Sequence, residues 1–328
     1  MDTGTHIVMG LGIGGLATLD PAVAQDPLTA QAVLAGTLIG SNAPDFDTVL
    51  KLRNNAVYIR NHRGITHSIP AVILWPLLIA GGISFFLPEA NLLHVWLWTF
   101  LAVFLHVFVD IFNAYGTQAV RPISQRWVAL GIINIFDPFI FAAHIIGLVL
   151  WHFGTHPGYT FLGIYGILIF YYLWRAYTHH LVVKGVRRKV PEAVEIIVSP
   201  TIRWHRWHIA IKTPTKFFVA HARHFDIHIL DEYDFVPVPN TPVIEAAKED
   251  VNLAAFLSFS PVYRWEVEKQ EDGYEVRFID LRYRSKGHYP FIAVVKLEKQ
   301  LEITSSYTGW VYSEETLQKK LTPINDLT

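Results

Sequence analysis

Long uncharged apolar runs fill the first half of the chain and give way, near His179, to segments in which apolar and charged positions alternate. Four runs, 69–87, 92–112, 131–153 and 159–177, each approach the roughly 20 residues that an α-helix needs to cross a hydrocarbon core. Two earlier runs, 6–19 and 28–40, are shorter and predict half-length or surface helices, separated by the breaker-rich stretch from Asp20-Pro21 to Asp26-Pro27. Beyond His179 the period becomes two: in 262–268, Tyr263, Trp265 and Val267 alternate with charged residues, as on a half-buried strand. The turn Gln270-Glu-Asp-Gly273 leads into 274–278, and 291–297 and 301–312 predict further strands. The expected architecture is a mainly α-helical integral membrane domain, 1–178, with about four spanning helices and two short N-terminal helices. A small antiparallel β domain, 179–328, follows it. No internal repeat or low-complexity segment is visible.

Composition and charge sharpen this reading. The chain is 52% hydrophobic and 17% charged, with a mean hydropathy of +0.29, which favours a membrane class over a soluble one. Segment 41–68 carries Lys51, Arg53, Arg60 and Arg63, and 113–130 carries Arg121 and Arg126, whereas 88–91 and 154–158 hold no Lys or Arg. Lys184, Arg187, Arg188 and Lys189 follow the fourth run. By the positive-inside rule the basic segments, including the loop with Arg53, are cytoplasmic, as is the C-terminal region up to Thr328. Asp2 and His6 stand where a signal peptide would place its basic region, so the first residues are expected to belong to the mature protein. A net charge of -1 offers no electrostatic footprint for nucleic acid. With no cysteine, any metal must be held by imidazole and carboxylate, and the sixteen histidines make that feasible.

Candidate chemistry gathers near one predicted membrane face. His106 and Asp110 lie four residues apart in the second run, so a helix puts both on one face, one turn apart. Ionisable residues in an apolar span are costly unless partnered, which makes them functional candidates, although a His–Asp packing bond would also account for the pair. His6 in Asp2-Thr-Gly-Thr-His6, the element Pro44-Asp45-Phe-Asp47, and His62-Arg-Gly-Ile-Thr-His67-Ser68 join them by topology. The second run returns Asp110 to the inner side, where His67 precedes the first run and a loop carrying Asp45 and His62 can reach. Taken singly, Asp45 reads as a turn or cap residue and a loop histidine as solvated. Jointly, the convergence of His and Asp predicts a metal site.

Asn42-Ala-Pro-Asp45-Phe-Asp47, His62-Arg-Gly-Ile-Thr-His67-Ser68 and His106-x-x-x-Asp110 resemble the YdjM-like (DUF457) family of bacterial membrane-bound metal-dependent hydrolases over about residues 1–150. That family is in turn similar to the zinc-dependent phospholipase C and single-strand nuclease superfamily, whose motifs are matched here by Gly4-Thr5-His6, Pro44-Asp45 and His106/Asp110. The resemblance implies a divalent metal, zinc, one or two ions, and a phosphoester or lipid-phosphate substrate. Its intervening ligand is His67 or His62, with His67 favoured by position. Two departures limit the carry-over: Met1 stands where those phospholipases have a metal-binding tryptophan, and no further histidine follows Asp110 at short spacing.

A zinc ion with an open position lowers the pKa of bound water from 15.7 toward about 7. Asp45 is then the expected ligand and proton acceptor, and Arg63 either clamps a phosphate oxyanion or serves as a positive-inside anchor. Asp137, before Pro138, is a supporting partner, a further ligand or a helix cap. His221, His224 and His228 are expected to be scattered by strand geometry rather than to bind zinc, and 203–208 is expected to rest at the lipid interface rather than on nucleic acid. Two other classes stand beside the hydrolase. One is a metal or proton transporter using His106, Asp110 and Asp137, disfavoured because the candidates gather at one face. The other is a membrane-tethered regulatory or partner-binding protein with a structural metal.

Overall fold

The computed structural model describes residues 1–52 and 54–323; Arg53 and Thr328, on which part of the sidedness expectation rests, lie outside them. The chain divides into two compact units. One comprises Met1–Asp47, His62–Leu181 and Ser199–Trp204; the other comprises Thr48–Asn61, Val182–Val198 and the chain from His205 onward.

The first unit is helical. Its elements begin with α1 (Thr3–Leu16), α2 (Pro21–Ala24) and α3 (Pro27–Gly40), the two longer ones falling where short N-terminal helices were expected. A 3₁₀ stretch, Ala43–Leu52, leads to α4 (Asn55–Asn61), which belongs to the second unit. Then follow α5 (Ile69–Phe86), α6 (Leu92–Asp110), α7 (Pro138–His152) and the long α8 (Pro157–Lys189). The dipeptide Asp-Pro does the same work three times. Asp20, Asp26 and Asp137 each cap a helix through a side-chain oxygen, and the following proline occupies the first turn, where its missing N–H costs nothing. This cap starts α7 at Pro138, so the run expected from 131 contracts. Residues 131–137 instead form a loop anchored at its start, where Leu130 N–H, just before it, donates to the Ile111 carbonyl (2.8 Å) and Ile132 N–H to that of Phe112 (2.9 Å).

Among the described residues two helices, α5 and α6, are long and apolar enough to cross a membrane. α5 turns most of its apolar side chains outward: Ile73, Leu74, Leu77 and Leu78 are all at least half exposed, the pattern of a helix solvated by lipid. α6 packs on α3 through glycine. A Cβ at Gly36 would meet Thr99 Oγ1 at 2.3 Å, so the backbones approach closely only because none is there. This contact places the end of α3, and the 3₁₀ stretch after it, beside the C-terminal end of α6.

The second unit carries the antiparallel strands expected after His179, in two sheets with helices against them. The first sheet has the order β1 (Glu195–Pro200), β2 (Arg206–Lys212), β3 (Lys216–Arg223), β4 (Asp226–Asp234). Val182 and Val186 of α8, with Val190 just after it, pack with Trp207, Ile209 and Ile211 of β2. Trp207 is therefore core, not the interfacial residue expected of 203–208. Helices α9 (Pro242–Lys248) and α10 (Val251–Phe259) precede the second sheet. Its order is β5 (Tyr263–Lys269), β6 (Gly273–Asp280), β7 (Phe291–Glu298), β8 (Ile303–Trp310), β9 (Thr322–Pro323). Ile244 and Phe256 of these helices cover Val276, Phe278 and Phe291 on one face, while Leu317 of α11 (Glu314–Lys320) covers Ile279, Ile292 and Val294 on the other. Burial on both faces explains why β7, Phe-Ile-Ala-Val-Val over 291–295, reads as a continuous apolar run instead of a clean alternation.

Candidate metal centre

Three pieces of chain meet at the C-terminal end of α6: the start of α1, the 3₁₀ stretch with Asp45, and the segment from His62 to His67. His106 and Asp110 share one face of α6 and are fully buried. His106 Nδ1 donates to the Ser41 carbonyl (2.6 Å), which fixes the tautomer and leaves Nε2 with a bare lone pair. The same logic orients His67. The Thr66 hydroxyl donates to Asp47 Oδ2 (2.6 Å), so it accepts from His67 Nδ1 (3.0 Å) and the His67 lone pair also sits on Nε2. Burial first, then the neighbouring His106 and the Arg63 charge, hold the His67 pKa well below the usual imidazole value, and the ring is neutral.

The two Nε2 atoms face each other at 3.2 Å, and neither has a proton to share. His67 Nε2 lies 3.6 Å from both Asp45 Oδ1 and Asp110 Oδ2, and His106 Nε2 lies 3.7 and 3.8 Å from the same oxygens. Asp45 Oδ1 is buried and accepts no hydrogen bond, and Asp110 Oδ2 is met by the Arg63 guanidinium at 3.3 Å. Four acceptor atoms converging in a dry pocket repel one another and forfeit their hydration, so the arrangement calls for a cation. Tetrahedral bonds of about 2.0–2.1 Å imply ligand–ligand separations of roughly 3.3 Å, close to those observed. The donor set fits a divalent metal. Burial alone would raise the Asp45 carboxyl, but His106, His67 and Arg63 more than offset it and hold it well below the usual carboxylate range.

A second group, Asp45, Asp47 and His62, shares Asp45 with the first. Here Asp47 accepts from His62 Nδ1 (2.6 Å), Arg63 N–H (3.0 Å) and Thr66, so it also ties the loop together. His67 thus sits in the four-atom set, while His62 lies against Asp47. His6 stacks on His106 with ring centroids 3.7 Å apart, and its Nε2 lies 3.6 Å from Asp110 Oδ1, the carboxylate oxygen turned away from the four-atom set. The Met1 amino group also contacts Asp110 Oδ1 and lies 2.9 Å from His6 Nε2.

Arg63, with φ of 61°, adopts a left-handed backbone that costs a non-glycine residue about 1–2 kcal/mol, offset by the bond to Asp47. Its guanidinium is buried. It reaches Asp110 Oδ2 (3.3 Å) and the Met1 carbonyl (3.2 Å), and the loop after α6 holds its backbone through Gln118 N–H (2.9 Å). It is a counter-ion to Asp110. Asn113, to which the sequence analysis gives no role, organises that loop by accepting from Tyr115 and Gly116 N–H (2.8 Å each). Asp137 stands apart from both groups, as the cap of α7 and acceptor of the Tyr171 hydroxyl (2.8 Å). Of the discounted histidines, His221 and His228 form a cross-strand stacked pair, and His224 stacks on His205; they join no metal-holding group among the described residues.

Comparison with known proteins gives the helical region, and the chain as a whole, their relatives. Residues 1–182 match the family described as YdjM inner membrane protein, and the chain belongs to that family. Over its whole length it is similar to the protein described as uncharacterized protein YfhP of Bacillus subtilis (strain 168), with 59% identity over 322 residues and 98% of each chain covered. Residues 191–233 match the YfhP middle domain and 242–321 the YfhP C-terminal alpha/beta plait domain. No solved structure matches.

Proposed function

We propose that this chain is a multi-pass membrane hydrolase that cleaves a phosphoester, of lipid-phosphate type, with one or two divalent ions of the zinc class. The observation that carries the reading is the set of four unprotonated acceptors from His67, His106, Asp45 and Asp110 at near-tetrahedral spacing. Bound there, a divalent ion would lower the pKa of water and polarise a phosphoryl oxygen. His67 and His106 act as neutral ligands oriented by Thr66 and Ser41. Asp45, whose side chain is 17% exposed while the other three are fully buried, is the group that solvent reaches, so it takes the proton from water. Arg63 balances Asp110 and adds positive potential where an oxyanion would sit. The outward apolar faces of α7 and α8, with Ile146, Leu162, Phe170 and Leu173 exposed, favour these helices as further spans. The basic segments favour a cytoplasmic position for the centre.

The test is metal analysis of the detergent-purified chain together with hydrolysis of bis(p-nitrophenyl) phosphate before and after chelation. Bound metal with chelator-sensitive cleavage supports the hydrolase. Bound metal with no cleavage of this or any other phosphoester, ester or amide would replace it with a regulatory protein whose metal is structural.

A further inference from the structure

An apolar cleft of about 530 Å³ opens between α1, α6, α7 and α8, within the range of about 300–1,000 Å³ typical of small-molecule sites. Its walls include Met9 and Leu16 of α1, Leu101 and Val109 of α6, and Leu168 and Ile169 of α8. From Met1 to Leu16 the lining follows α1 for roughly 20 Å, at about 1.5 Å per residue, which makes the cleft long rather than round. Two observations say what it holds. First, it adjoins the metal centre at Met1, which lines the cleft while its amino group touches Asp110 and its carbonyl accepts from Arg63. Second, His144 lines the cleft, is 1% exposed, and donates from Nδ1 to the Ile140 carbonyl (2.8 Å), leaving Nε2 as a buried acceptor without a partner. An orphaned acceptor in an otherwise apolar wall is completed by a ligand that brings a donor.

We propose that this cleft seats one hydrocarbon chain of an amphiphile whose anionic head lies at the metal centre, with His144 Nε2 accepting from a hydroxyl or amide N–H at the head of that chain. The proposal rests on the centre being a site for a phosphoester head. Every methylene taken out of water adds affinity, so the chain supplies binding while the head sets the register. The outward face of Ile169, 62% exposed, lets a chain enter sideways from the bilayer.

The experiment uses the full chain in lipid nanodiscs and a hexadecylphosphonate with a diazirine in mid-chain, whose C–P bond is not hydrolysed. Cross-linked peptides should come from 101–109 and 165–173 well in excess of the exposed α5 face at Ile73 and Leu77. Leu101→Trp should fill the cleft and abolish that excess without changing bound metal. Labelling spread evenly over α5 and the cleft overturns the proposal, as does labelling unaffected by Leu101→Trp. A second probe with an amide N–H next to its head should label about 2–10-fold better than the first, and His144→Phe should erase the difference. Equal labelling by both probes in the unmodified chain would remove His144 from the site. Because labelling needs no turnover, a labelled cleft without hydrolysis keeps this subsite and discards the hydrolase; hydrolysis without selective labelling does the reverse.

Discussion

His106 and Asp110 are held by one helix face, and each completes a set to which distant residues contribute the rest. Replacing either with Ala removes one of the four acceptors, so metal content measured on purified protein should fall steeply. His224→Ala should leave it unchanged, since His224 stacks on His205 away from any such group. Unchanged metal in both His106→Ala and Asp110→Ala would move the centre elsewhere. Asp45→Asn tests the proton step: the amide keeps an oxygen ligand but loses basicity, so hydrolysis per bound metal should drop by about 10²–10⁴. His6→Ala should instead lower occupancy and activity together and be partly rescued by excess metal. Wild-type turnover per metal in Asp45→Asn would rule Asp45 out as the base. The i, i+4 pair and the two flanking motifs were legible because side chains of suitable chemistry announce themselves at short spacing. The Ser41 carbonyl that orients His106 carries no such signal, because any residue supplies a carbonyl and only the fold decides where it points.

Helices and strands were legible where one face alone is buried. The α5 and α6 runs are continuous in apolar character, and the hairpin β5–β6 turns at Gln270–Gly273 as its residues require. The start of α7 was blurred by the apolar loop before it, whose Ile132 and Ile133 are buried as deeply as any helix residue. Close packing of α3 on α6 gives a test at this scale. Gly36→Val would drive a side chain into Thr99, and overpacking of this kind costs about 1–3 kcal/mol, read as a lower melting temperature and weaker metal retention. The β2–β3 face offers a pH test. His208 pairs with His221, beside Arg206 paired with Arg223; His228 and Asp226 follow on β4, and Arg284 stands near, bound to Asp231. Burial first, then the neighbouring histidines and after them the arginines, depress the His208 and His221 pKa values. Below the unfolded value of about 6.5 the unfolded state takes up protons that the folded pair resists, so stability is lost as pH falls from there toward the folded values. Protection factors of amides in 206–223, corrected for the base-catalysed intrinsic exchange rate, should be larger at pH 7 than at pH 5, with a smaller difference in His208→Phe. Protection independent of pH would show that the pair is not coupled to folding.

On the scale of the whole molecule, the question is which side of the membrane bears the centre. α5 starts two residues after His67 and α6 ends at Asp110, so the hairpin of these two helices returns the chain to the side it left. In the proposed topology, with both helices crossing, the residues of the centre share a side with 113–130, which carries Arg121 and Arg126, and lie opposite 88–91, which has no basic residue. Positive charge is retained on the cytoplasmic side, so the expected position of the centre is cytoplasmic. The chain has no cysteine, so single substitutions report position without background. Glu89 and Gln125 are both exposed and lie in the two opposed segments. In intact cells a membrane-impermeant maleimide should label Glu89→Cys, whereas Gln125→Cys should react only after the membrane is opened. Metal content near wild type in both variants would show that neither substitution disturbed the fold. The reverse labelling would put the centre on the outer face, and its substrate would then have to be sought in the outer leaflet. Labelling of both positions from outside would mean that α5 and α6 do not cross the bilayer, and the exposed apolar face of α5 would have to be covered by another protein.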